Sequence, residues 1–203
     1  MGKRHLTPNE IINQCKIVSR EKRMADRTPW TVMSIICPYT LLKSEGYKGQ
    51  RIAKIVAKIE EYEALWADNK VDLEELKKKV YEKAGGDAEA FAYTTYTEND
   101  ISAKKGSYDF WLDSRQIEAQ NAMNAQASRY LVFFFNALID MEKFGKSRLV
   151  RVEEYLNSLM EEYQLNKVTL TTWRMGLYDE AGIVVEMPID PLTQTKGSTM
   201  TGV

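Results

Sequence analysis

Apolar positions recur three and four residues apart through residues 52–66, where Ile52, Ile55, Ile59, Tyr62 and Trp66 fall on one face of a helix. The same spacing returns 97 residues later as Leu149, Val152, Leu156, Leu159 and Tyr163. An apolar stripe of this kind is stable only when another element covers it. The pattern supplies one on each side: a helix over residues 29–43, opened by a Thr28-Pro29 cap, and another over residues 128–142. A further helix begins at Thr7-Pro8-Asn9-Glu10, a capping box with proline in the first helical position. Its counterpart falls within residues 108–124.

The repetition extends beyond the stripes. "NKVDLEEL" starts at Asn69 and "NKVTLTTW" at Asn166, and the 41 positions from Glu45 to Gly85 show 9 identities with their equivalents, without a gap. The differences preserve physical roles. Asp72 and Thr169 can each cap a helix. Val71 with Leu76, and Val168 with Trp173, form the apolar staple around that cap, and Gly85 and Gly182 stand where a left-handed residue ends a helix. The pattern therefore predicts an all-α chain built by tandem duplication of a unit of about four helices. Its boundaries are a first unit at 1–86, a linker at 87–106, a second unit at 107–187 and a loose tail at 188–203. Within the linker, "AFAYTTYTEND" favours extended structure, and "IVVEMP" after the second unit reads as one short strand.

Composition narrows the partners. Lysine plus arginine (28) almost balances aspartate plus glutamate (29), so no global field draws the chain to nucleic acid or an anionic membrane. The longest apolar run, Tyr130 to Ile139, is far too short to span a bilayer, and the N-terminus has no apolar signal core. A cytoplasmic protein without a membrane partner is expected. Cys15, Cys37 and His5 are too few for a Cys/His zinc site, and both thiols read as reduced and buried. No phosphate loop or nucleophile elbow is present, and one histidine leaves no base for a serine or cysteine triad. The chain reads as non-enzymatic, with no cofactor and no metal. The remaining enzymatic alternative is a magnesium-dependent nucleotide hydrolase using Glu60, Glu61, Glu63 and Asp68 with Glu153, Glu154, Glu161 and Glu162. These acids do not correspond across the repeat and read as solvated faces.

Two clusters stand out as candidate sites. Lys48, Arg51 and Lys54 crowd the start of one helix and Lys146, Arg148 and Arg151 the start of its counterpart, although a helix N-terminus favours negative charge. Either Glu45 pairs with Arg51 and Glu142 with Arg148, or the cations and free N–H groups hold a phosphate. A helix-turn-helix can also be drawn through "LLKSEGYKGQRIAKI", with Gln50, Arg51, Lys54 and Lys58 facing a groove. The second cluster is aromatic: Phe110, Trp111, Tyr130, Phe133, Phe134 and Phe135 enrich the second unit. Phe110, Trp111, Tyr130 and Phe134 are the candidate partner surface, for a protein or for a second copy of the chain.

The segments "LLKSEGYKGQRIAKI" and "LIDMEKFGKSRLVRV", each followed by a capped "NKV" helix, share an order of acidic residue, aromatic with glycine, basic pair and apolar helix. In this the chain resembles small uncharacterised helical proteins of phages and prophages of Gram-positive bacteria, over about 45 residues of each copy. The resemblance supplies no activity and no functional residues. It implies a phage-type origin, in which compact helical proteins regulate DNA transactions or inhibit host defence proteins. The leading expectation is thus a protein that binds a host or phage protein, with a DNA-binding regulator as the alternative.

Overall fold

A computed structural model describes residues 29–86, 96–102, 105, 107–165 and 167–185. Among them every regular element is helical. These are α1 (29–44), α2 (Gly49–Ala67), α3 (Leu73–Ala84), a 3-10 turn (Glu98–Asp100), α4 (Tyr108–Glu142), α5 (Lys146–Gln164) and α6 (Leu170–Ala181). The all-α class stands. Of the stretch expected to be extended, residues 90–95 lie outside the described residues, and its end turns at Glu98–Asp100, because the Asp100 carboxylate accepts from the backbone N–H of Thr97 at 2.6 Å and so closes the chain locally. Residues 183–185 form no strand. The helix expected from Thr7 and the tail from 188 lie outside the described residues, as do His5, Cys15 and Thr28.

The limits of α2 and α3, moved by 97 residues, coincide with those of α5 and α6. Local chemistry explains each end. Asp72 accepts from the N–H of Glu74, and Thr169 from that of Thr172, so both caps form. Gly85 and Gly182 close the helices at φ 95° and 66°. The two turns between the preceding helices also match, with Gly46 at φ 65° and Lys143 at φ 53°.

One expected boundary is absent. The helices read at 108–124 and 128–142 are a single 35-residue rod, α4, about 52 Å long. Between them stand only Ala125, Gln126 and Ala127, with neither glycine nor proline, so nothing ends the helix and Ser128 lies inside it.

Both stripes are buried as read: Ile52, Ile55, Ile59 and Tyr62 on α2, Leu149, Val152, Leu156 and Leu159 on α5. They join one hydrophobic core with α1 (Met33, Ile36, Leu41), with the second part of α4 (Leu131 through Ile139), and with Val80, Trp173 and Leu177. Each such side chain contributes about 1.5–3 kcal/mol by leaving water. Inside it, Tyr62 stacks on Phe133 at 6.0 Å and Trp30 meets Tyr130 edge-on at 4.6 Å. Here one expectation is corrected. Tyr130 and Phe134 are buried core residues and not a partner surface, and Trp30 of α1 closes edge-on over the Tyr130 ring. Trp111 is half-buried beside Arg115, and the side chain of Phe110 lies outside the described part.

The halves exchange contacts reciprocally. α3 of the first packs on α4 and α5 of the second, while α1 of the first meets α6 of the second through Tyr39 and Trp173. The buried Asn136, the equivalent of Tyr39, donates to the carbonyl of Leu76, the equivalent of Trp173, at 3.0 Å. This is the contact pattern of a two-fold related pair, in which a residue i touches j and the equivalent of j touches the equivalent of i.

Candidate functional site

The basic helix starts meet where the two turns face each other. Arg51 does not pair with Glu45 of its own half, as the spacing suggests, but with Glu142 of the other, and Arg148 pairs with Glu45. The exchange follows from the reciprocal packing, which lays the turn of each half on the first turn of the opposite half's middle helix. Glu45 accepts from Arg148 Nη2 at 2.6 Å and from Arg151 Nε at 2.9 Å, and its side chain is only 4% exposed. Glu142 accepts from Arg51 Nε at 3.0 Å and from the Tyr47 hydroxyl at 3.1 Å. The Tyr47 oxygen in turn accepts from Arg148 at 2.7 Å, which links the two ion pairs into one network.

Aromatic rings floor the network. Arg51 lies 3.9 Å over the Tyr47 ring and Arg148 3.7 Å over the equivalent Phe144 ring, while Tyr47 and Phe144 meet edge-on at 6.4 Å. Burial opposes the charge on Glu45, but Arg148 and Arg151 outweigh it and hold the carboxyl below its usual range. Arg51 does the same for Glu142, against the effect of burial and with help from Tyr47. Burial raises the Tyr47 hydroxyl, with Arg148 pulling the other way.

Neither basic helix has a side-chain cap or an acid in its first turn. What compensates is the far end of another helix. Gly49, the first residue of α2, lies so close to the carbonyl of Ala181 at the end of α6 that a Cβ there would overlap it. The Lys146 ammonium lies against Gly85 at the end of α3, where the carbonyl end of the helix favours a cation. Arg51, Arg148, Arg151 and Lys146, four of the cations at these helix starts, thus find partners in the opposite half.

Of the six predicted contacts, Arg51, Arg148 and Arg151 converge on this network. Lys48, Lys54 and Lys146 are exposed and carry no ion pair among the described residues. Gln50 lies beside Arg51 at the rim of an open depression that runs from Glu45 to Ala181. Lys58 bonds Glu61 instead of facing a free groove. Asp68 pairs with Lys70, and no three His, Cys, Asp or Glu side chains gather as a metal site among the described residues. Cys37 is a free thiol in the core, where burial raises its pKa.

Two clusters escaped the sequence reading. Asp140 accepts from Lys79 and from the Tyr62 hydroxyl, and these partners overcome burial to hold its carboxyl low. The Arg129 guanidinium lies 4.2 Å over Trp66 and 5.9 Å from Trp30, and burial lowers its pKa despite Glu63. The first left a signal, since Lys43 and its equivalent Asp140 carry opposite charge.

On the outer face of α6, Met175 and Tyr178 are 58% and 62% exposed, and Val184 just beyond is 72% exposed. No described helix is long and apolar enough to cross a membrane. The chain matches no family model, no curated protein and no solved structure.

Proposed function

We propose that this chain is a non-enzymatic binding protein, produced by tandem duplication, that acts in the cytoplasm of a bacterial host by holding a host or phage protein. The phage-type resemblance supports a phage or mobile-element origin and makes a host defence protein the fitting target. The observation that carries the reading is the outer face of α6. Met175 and Tyr178 stand three residues apart on that helix, large and apolar, and are left in water although the core has room for other aromatics. This face replaces Tyr130 and Phe134 as the contact surface.

Cross-linking mass spectrometry in host extract, with a photoreactive residue at position 178, tests it. A discrete cross-linked protein is expected for the otherwise native chain, lost on Met175→Glu with no change in melting temperature. Equal cross-linking in both would remove α6 as the contact.

A DNA-binding regulator is the second reading, favoured by Lys48, Lys54 and Lys146, which are exposed and form no ion pair among the described residues at two reciprocally placed helix starts. Fluorescence anisotropy with duplex DNA from about 50 to about 200 mM salt decides it, because phosphate contacts make affinity fall steeply over that range. Binding that weakens with salt and with Lys48→Glu would support this reading, and no binding at the lowest salt would end it.

A further inference from the structure

The halves grip each other through equivalent positions, yet the side chains there differ in one consistent sense. On α1, the Tyr39 ring lies over the bare backbone of Gly176, where a Cβ would come within 2.9 Å of Tyr39 Cε2. One turn on, the Lys43 ammonium meets the Glu180 carboxylate at 2.6 Å. At the equivalent place on α4 the small Asn136 stands for Tyr39 and the anionic Asp140 for Lys43, and Asp140 takes the ammonium of Lys79 on α3. Lys79 is the equivalent of Gly176, and Lys83, one turn further, that of Glu180. Size and charge are both inverted. A large residue and a cation on α1 face a small residue and an anion on α6, whereas on α4 a small residue and an anion take these places and the anion meets the long, cationic Lys79 of α3.

From this inversion we infer that the chain carries a pairing code: the gripping face of each half fits the other half and rejects a second copy of itself. Pairing first half with first half would drive Tyr39 into the Lys79 side chain and set Lys43 against Lys79 and Lys83. Pairing second with second would leave a hole between Asn136 and Gly176 and set Asp140 against Glu180. The two central ion pairs do not discriminate, because Arg51 with Glu142 and Arg148 with Glu45 have equivalents in every pairing. Attraction comes from the shared centre and selection from the inverted margin, where the wrong partner meets like charge and a clash. Two copies of the chain can satisfy both margins only by exchanging whole halves, first with second.

The test uses the full chain with a protease site inserted between Gly86 and Tyr96, folded, cut, and weighed by native mass spectrometry. One-to-one pairs of unlike fragments are expected, with no pair of like fragments after dilution and reconcentration. Like pairs in comparable amount would overturn the code. A double-mutant cycle on the uncut chain reads the same code, and decides alone if the cut fragments separate. Lys43→Asp should lower the melting temperature by about 1–4 °C and Glu180→Lys in the same chain should restore most of it. Gly176→Lys should lower it further, with rescue by Tyr39→Asn. Strictly additive losses in both cycles would overturn the inference.

Discussion

Glu45 is the point on which the basic turns converge, since two arginines bond its two oxygens and little water reaches it. Glu45→Gln keeps the shape but takes the negative counter-charge away from the two guanidinium groups of Arg148 and Arg151. The expected loss is about 1.5–3 kcal/mol at neutral pH, the size of hydrogen bonds to a charged group. The pH dependence has a definite sign. The carboxyls of Glu45, Glu142 and Asp140 are held below their ordinary values of 4.5, 4.5 and 3.8. Their contribution is therefore complete above those values and is lost as pH falls through the lowered ones. Glu63, raised by burial more than Arg129 lowers it, acts in the opposite sense and gains stability toward acid. Three groups against one predict a melting temperature that falls as pH drops below the ordinary carboxyl values of 4.5 and 3.8. The fall should be shallower in Glu45→Gln, and an identical acid limb would show that the network contributes nothing. The sequence showed which residues matter here, because Glu45, Arg51 and their equivalents are identical in both copies. It could not show which copy supplies the partner, since repetition is silent about whether a contact lies within a unit or between units.

At the scale of the element, periodicity and caps were legible almost to the residue. Two apolar stripes, two capping residues and two left-handed glycines specify four helices by local physics alone. The continuous α4 was not legible, because the pattern of its second part is matched to the repeat and hides the absence of any stop signal before Ser128. Nor was the burial of Tyr130 and Phe134, since an apolar surplus reads alike as core or as surface until the covering helices are placed. The close approach of α2 to α6 gives a prediction at this scale. In an open helix start Gly→Ala stabilises by up to about 1 kcal/mol, whereas Gly49→Ala must push against the backbone oxygen of Ala181. The expected net effect is a loss of about 1–3 kcal/mol in urea unfolding. A gain would mean that these helix ends are not pressed together.

For the whole molecule, one core drawn from all six described helices implies that neither half can unfold and leave the other intact. Loss of tryptophan fluorescence and of helical circular dichroism in urea should coincide, since Trp30 and Trp66 belong to one half and Trp111 and Trp173 to the other. Two separated transitions would show that the halves stand alone. The helix ends that find their partners only across the halves also set an order in time. A ribosome adds about 5–20 residues per second, so the 97 residues between a position and its equivalent take roughly 5–20 s. Throughout that interval the nascent first half holds Glu45 without its arginines, Arg51 without its carboxylate and the first turn of α2 without the carbonyl end that meets it. The helices of the first half are on hand early in synthesis, but the contacts that fix them wait until α6 has emerged.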